Sequence, residues 1–391
     1  MAAQFEVIHP CCAGLDVHPA TIWACARRLG PDHRVTESIR QFGTTTAELL
    51  GLADWLQGHG VRIVAMESTG VYWKPVFNVL EDRFPIVLAN AQHLKKVPGR
   101  KTDVIDCQWI AKLLQCGLVR NSFVPPRSVR QLRDLTRRRT QLTRERASVV
   151  NRIQKVLEDA DVKLAGVASD VMGASGRAMI TAITRGTTDP EALADLARGS
   201  LRKKIPALKE ALSGLVTDHH RFLLREALDQ ISAPDRLIRK LTAEVERALE
   251  PESFSTARQL LVTIPGVDLR AADVLIAEIG VDMSKFPTAG HLCSWAGLSP
   301  GNDQSGKRRR QAKTTKGSQW LRTTLVQVAR AASHTKKTKL SAQFRRQGPR
   351  LGKKKASIAL AHKILVIVHR MLKDHTAYQE LPARPYPCPE A

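Results

Sequence analysis

In the first third of the chain, short unbroken apolar runs alternate with stretches of helical spacing. Residues 13–18 and 21–26 are runs of the first kind, and 38–42 reads as a third strand. Leu49, Leu50, Leu52 and Leu56 give 46–56 a helical pattern that stops at Gly58 and Gly60. Residues 62–67 form a buried-type strand closed by Ser68-Thr69-Gly70, 73–80 a helix, and 85–90 a further strand. Ile105, Trp109, Leu113 and Leu114 recur at helical spacing across 101–114. Three strands followed by helix, strand, helix, strand, helix predict an α/β domain whose later strands are parallel.

Pro125-Pro126 closes that domain, because a proline pair continues neither a helix nor a sheet interior. From Val129 the period changes to one long helix. Leu135, Leu142, Val149 and Val156 recur every seven residues, and Leu132, Arg139, Arg146 and Ile153 fill the other seam position. A dry two-helix coiled coil does not suit buried arginine, so Arg139 and Arg146 either reach to water or face nucleic acid. Short helices and loops follow over 165–205. Further long helix follows at Leu208 to Leu215 and Phe222 to Val245, kinked or split at Pro234. Two apolar helices joined by Pro265-Gly266 span 260–277, and 356–372 is amphipathic with Leu360, Ile364, Val368 and Met371 on one face. The domains expected are 1–126, a helical coiled-coil region 127–255, a helical C-terminal domain 256–381 and a proline-rich disordered tail 382–391.

Composition adds a partner. The chain has 391 residues, 43% of them hydrophobic, and a formal net charge of +24. Such an excess repels itself unless a polyanion relieves it, which points first to nucleic acid. The run 356–372 is broken by His362, Lys363 and His369 and is too short to span a bilayer. Seven scattered cysteines with no Cys-x-x-Cys pair argue against zinc and against a disulfide framework. They fit a reducing cytoplasm, and no signal peptide is seen.

Four acids carry the candidate chemistry. Asp16 lies in the first strand, Glu67 closes the fourth, and Asp103 and Asp106 share one face at the start of the helix after the fifth. Sites in such sheets gather at the carboxyl ends of strands. Converging carboxylates repel one another, and hard divalent cations, Mg²⁺ or Mn²⁺, resolve that conflict. Each acid alone also reads as a cap or a solvated strand end. His18 and His93 read as satisfied polar groups rather than ligands. The Pro265-Gly266 turn suits a helix-hairpin-helix, whose backbone N–H groups point at a phosphate, or an ordinary helical hairpin in a core. Ser305 precedes Gly306, Lys307, Arg308, Arg309 and Arg310. On the residues alone it is a turn serine with no general base beside it.

Three stretches give these residues a context. Gly14-Leu15-Asp16-Val17-His18 resembles the first strand of RuvC-like nucleases of the RNase H fold. Met66-Glu67-Ser68-Thr69-Gly70-Val71-Tyr72-Trp73 and Gly99-Arg100-Lys101-Thr102-Asp103-Val104-Ile105-Asp106 resemble a narrower group. It is the DEDD transposases of insertion-sequence family one hundred and ten, the bridge-RNA-guided recombinases. Gly117-Leu118-Val119-Arg120 and Ser122-Phe123-Val124-Pro125 resemble the same group, while Ala91 and Cys107 depart slightly from its pattern. The resemblance implies an RNase H/RuvC-like mixed-sheet domain with Asp16, Glu67, Asp103 and Asp106 as metal ligands. It also implies a coiled-coil segment that mediates assembly, and a serine-bearing helical C-terminal domain with Ser305 as nucleophile, Ser299 and Ser294 being rivals. A structured guide RNA, donor and target DNA, and a homo-oligomer, dimer or tetramer, follow as partners. Lys101, Gly266, Lys307, Arg308, Arg309, Arg310 and Arg322 are the expected nucleic-acid contacts. The function expected is metal-dependent, RNA-guided strand exchange. The alternatives are a RuvC-like resolvase or nuclease using water and an architectural nucleic-acid-binding protein.

Overall fold

Five strands, β1 (Cys11–Val17), β2 (Thr21–Leu29), β3 (Val35–Gly43), β4 (Ile63–Glu67) and β5 (Ile86–Ala89), pair in the order β3-β2-β1-β4-β5. The first three are antiparallel neighbours, and β1–β4 and β4–β5 are parallel. The sheet is thus mixed, with its later strands parallel as the alternation of elements predicts. These features belong to a computed structural model that describes residues 6–68, 70–89, 103–300, 304–305, 308–309 and 314–380. The side chains of 103–105, 304, 305, 308 and 309 lie outside that description. The chain divides into two compact units, Met1–Val124 and Pro125–Ala391.

The period-two alternation of β1 sorts its side chains between two helical layers. Ala13, Leu15 and Val17 pack with Leu49, Leu52 and Leu56 of α1 (Thr46–Gly58) and Val76 and Leu80 of α2 (Trp73–Leu80). Cys12 turns the other way, onto Ile110 and Leu114 of α3 (Asp103–Gln115). Gly14 faces α3 as well, and a Cβ on it would run into the Cys107 carbonyl and the Ala111 amide. Only a missing side chain lets the helix backbone come this close. Arg27 on β2 reaches the Gln115 side chain at 2.6 Å and pairs with Glu37 on β3. Gln108 of α3 also donates to Glu37, at 2.7 Å. These polar ties fix the helix along the sheet.

The second unit is helical. α4 (Arg127–Asp159) and α5 (Asp218–Ala248) lie side by side, and short helices between 164 and 211 pack against their ends. Asp159 meets His220, Arg152 meets Gln230 and Arg146 meets Asp235, so the two long helices run antiparallel. The heptad seam of α4 packs against α5 and, through Arg139 and Asp273, against another helix of the same chain. α5 continues through Pro234 without the expected break. Its contact with α4 holds it on both sides of the proline, and Asp235, the next residue, is gripped by Arg146 and Arg177. The C-terminal helices are α6 (Glu252–Leu261), α7 (Leu269–Ile279), α8 (Ala289–Trp295), α9 (Gln319–His334), α10 (Lys339–Leu351) and α11 (Lys353–Asp374). α11 buries Leu360, Ile364, Val368 and Met371, each of which contributes about 1.5–3 kcal/mol. Among the described residues no helix is long and apolar enough to cross a membrane.

Both seam arginines find carboxylates within the chain. Arg139 is buried and pairs with Asp273 of α7, and Arg146 pairs with Asp235 of α5. Arg137 grips Glu278 with two hydrogen bonds, at 2.7 and 2.9 Å, and Arg133 donates to the Glu278 carbonyl. The buried Arg139 thus meets a buried carboxylate, and the half-exposed Arg137 and Arg146 meet carboxylates too, which is how a basic seam becomes tolerable. The signal for this lay in Asp273 and Glu278, two acids in a helix whose other residues are apolar apart from Arg270.

Candidate active site

Strand parity places two of the four acids. Leu15 and Met66 are register partners on the parallel pair β1–β4, so Asp16 and Glu67 are the next rung. Paired residues on neighbouring strands project to one face. Asp16 shares the face of Gly14, and Glu67 that of Ala65, which is the face covered by α3. Both stand at the carboxyl end of their strands.

The direction of α3 sets where its first turn stands. Its last residue, Gln115, meets Arg27, which pairs with Cys12 at the start of β1. Its first half lies over Gly14. The helix therefore begins at the end of the sheet where Asp16 and Glu67 stand. Cys107 feels the negative charge of both Asp16 and Asp106; burial, with these carboxylates adding to it, pushes its thiol up to about 11. Asp106 is half-buried one turn into the helix. The backbone of Asp103 opens the same helix, and its side chain lies outside the described residues.

Asp16 is buried, and His18 Nε2 lies 2.9 Å from its Oδ2. His18, just past the end of β1, thus serves as a polar partner of an acid, and its position two residues after Asp16 was the available signal. Among the described residues no three side chains stand close enough together to hold a metal ion. Carboxylate oxygens, which Asp16, Glu67 and Asp106 carry, are the donors that a hard cation prefers.

In the second unit, Ser305 lies not in an open loop but in a short ladder. β6 (Gln304–Ser305) pairs antiparallel with β7 (Arg308–Arg309), with Ser305 opposite Arg308, and Pro300 bridges Thr314 further down. The returning chain is anchored at Ser318, which caps α9 and donates to the buried Glu278 carboxylate at 2.8 Å. Of the rival serines, Ser294 is exposed on α8 and Ser299 lies at a bend before Pro300. Arg322 donates to the Gly297 carbonyl at 3.4 Å. Gly266 has φ +87°, and a Cβ there would come within 2.6 Å of the Ala332 amide. Close packing against α9 accounts for this glycine. Asp268 caps α7 by accepting from Ala271 N at 2.7 Å. Lys101, Lys307 and Arg310 lie outside the described residues.

Residues 13–160 match the DEDD transposase family typified by IS110, and residues 258–345 match the family described as Transposase IS116/IS110/IS902. The chain is an IS110/IS116-family transposase. It is similar to a probable family 20 transposase of Pseudomonas aeruginosa, 26% identical over 81% of this chain and 86% of that one. It is also similar to the transposase for insertion sequence element IS1111A of Coxiella burnetii, 26% identical over 82% of this chain and 80% of the other. A pilin gene-inverting protein of Moraxella bovis is 29% identical over 44% of this chain and 52% of its own. The transposase is accordingly an enzyme of DNA recombination, and its DEDD family suggests dependence on a divalent metal.

Proposed function

We propose that this transposase exchanges DNA strands through a serine nucleophile, Ser305, assisted by a divalent cation, Mg²⁺ or Mn²⁺, at Asp16, Glu67, Asp103 and Asp106. The observation that carries the reading is the shared rung of Asp16 and Glu67 on the face where α3 begins with Asp103 and, a turn later, Asp106. When bound there, the ion supplies Lewis-acid stabilisation of charge on a phosphate and on a departing oxygen. The carboxylates supply the ligands, and His18 holds Asp16 in place.

In the second unit the Ser305 oxygen attacks phosphorus. A Ser–O–P bond forms as the bond from phosphorus to one sugar oxygen breaks. The serine proton leaves to solvent, and the sugar oxygen takes up a proton. Attack by a hydroxyl of a second strand reverses these changes and frees the serine. The number of phosphodiester bonds is conserved, so no nucleotide cofactor is needed. The basic residues after Ser305, Lys307 and Arg308 to Arg310, favour phosphate beside it. Gly266 and Arg322 belong to the same DNA-facing set, with the Pro265-Gly266 turn in a helix-hairpin-helix role, and Lys101 precedes the metal-binding helix. A structured guide RNA and a homo-oligomer complete the reading on the strength of the family resemblance and the +24 charge.

The test is a trapped adduct. Ser305→Ala abolishes a covalent protein–DNA species in Mg²⁺, and Ser299→Ala and Ser294→Ala retain it; loss in either rival alone transfers the role. Asp16→Asn leaves DNA affinity intact and removes strand cleavage, and full cleavage by that variant would remove the metal role. RNA that co-purifies with the protein, when sequenced, should match DNA flanking its gene.

A further inference from the structure

A groove of 360 Å³ runs between α4, the start of α7 and α9. Four arginines line it, and they fall into two kinds. Arg137 and Arg139 are neutralised by Glu278 and Asp273. Arg144 and Arg270 are exposed, and among the described residues no carboxylate lies within ion-pair distance of either. The groove's one carboxylate, Asp268, is turned into the helix start, where it accepts from Ala271 N.

Arg144 is also pre-placed. Its guanidinium carbon sits 5.1 Å from the centroid of the Trp320 ring, with that of Arg137 at 5.8 Å. A guanidinium resting on an indole keeps its N–H edges free for a phosphate and loses little freedom when one arrives. Along α9, Thr323, Thr324 and Gln327 add neutral donors on the same side. From Trp320 to Gln327 the helix rises ~10 Å, the length of about three nucleotides of one strand. Arg144 of α4 and Arg270 of α7 line the same groove.

We propose that this groove is a phosphodiester-binding subsite that seats a strand of the transposase's DNA, with Arg144 and Arg270 as its two phosphate clamps and Trp320 as the platform that holds Arg144. The choice of DNA as the polyanion rests on the transposase reading. The groove opens on α9, the helix that directly follows the Ser305 hairpin in the chain. A strand lying in it is therefore held by the same unit that presents the serine.

The experiment measures affinity of the full-length transposase for labelled single-stranded DNA, duplex DNA and RNA across a salt series. Arg144→Gln with Arg270→Gln should weaken DNA binding by about 10-fold or more. It should also reduce the slope of log affinity against log salt by about 1.4 to 1.8, two lost phosphate contacts. Trp320→Leu should weaken binding with the slope unchanged, because the charge stays while its platform goes, and Trp320→Phe should restore most of the affinity. Thr324→Glu, which leaves the arginines in place, should repel the strand. Arg202→Gln, on an exposed face outside the groove, is the control. Wild-type affinity and slope in the double variant and in Thr324→Glu overturn the proposal while leaving the transposase reading intact. Loss confined to RNA overturns the choice of DNA. Asp16→Asn, which should bind with wild-type slope and fail to cleave, reports separately on the metal centre.

Discussion

The Arg139 guanidinium lies 3.0 Å from the Asp273 carboxylate, with the two side chains 5% and 1% exposed. Burial pushes the Asp273 carboxyl up, and Arg139 and Arg258 pull against it. Removing Arg139 leaves Asp273 buried with Arg258, 2.8 Å away, as its remaining cation. Arg139→Met should cost about 3 kcal/mol at neutral pH, and Arg139→Met with Asp273→Leu should recover most of that loss. Denaturant midpoints of the two variants check this, and equal losses would mean the pair is not coupled.

Asp235 joins Arg146 and Arg177. Burial raises its pKa, but hydrogen bonds from the two guanidiniums outweigh that and hold it below the usual carboxylate range. A lowered acid pKa means stability that is present above the unfolded value, 3.8, and lost as pH falls through the folded one. Asp235→Asn should therefore lower the Tm at pH 7, by the equivalent of about 1–2 kcal/mol for partly exposed charged hydrogen bonds. Its deficit against wild type should shrink below about pH 3.8. A deficit that persists undiminished at pH 2.5 would count against the ion pairs.

Gly14→Ala places a methyl against the α3 backbone, which yields less readily than a flexible side-chain tip. We expect a loss of about 2–3 kcal/mol or failure of the first unit to fold. Thermal melts measure the loss. A melt within 2 °C of wild type would show that α3 does not press on β1.

Burial pushes the thiols of Cys12 and Cys25 up to about 12 and that of Cys293 to about 11. The thiolate is the reactive form, so these cysteines should resist iodoacetamide at pH 8 in the native protein. Among the described cysteines, Cys11 and Cys116, both half-exposed, should be alkylated first. Peptide mapping after a short pulse reads this directly, and rapid labelling of Cys25 would show an open sheet face.

The order of strands and helices was legible because periods of two and 3.6 are local properties of the chain. The boundaries of α2 and the start of α3 follow from Trp73 to Leu80 and from Asp103 with Ile105 and Trp109. Seam arginines were not legible in the same way. Arg139 and Asp273 are 134 positions apart, and nothing local to either names the other. For the same reason Arg144 and Trp320 look like separate surface residues until three helices bring them together. Pro234 does not split α5, because packing along α4 outweighs the local backbone cost that favours a split there. In the candidate site, the strand-end positions of Asp16 and Glu67 were visible. The direction of α3, which decides whether Asp106 joins them, depends on Gly14 and on Arg27 reaching Gln115.

Gly14 and Asp16 sit two residues apart on the same side of β1, one as a notch for a helix and the other as an acid. The strand therefore works as a ruler. Deleting or inserting a single residue between the turn before β1 and Asp16 would rotate both off that side together. A frame shift of this kind would ruin folding and chemistry in the same event, so variants that keep the shape of the sheet while losing its acid should arise by substitution and not by changes in strand length.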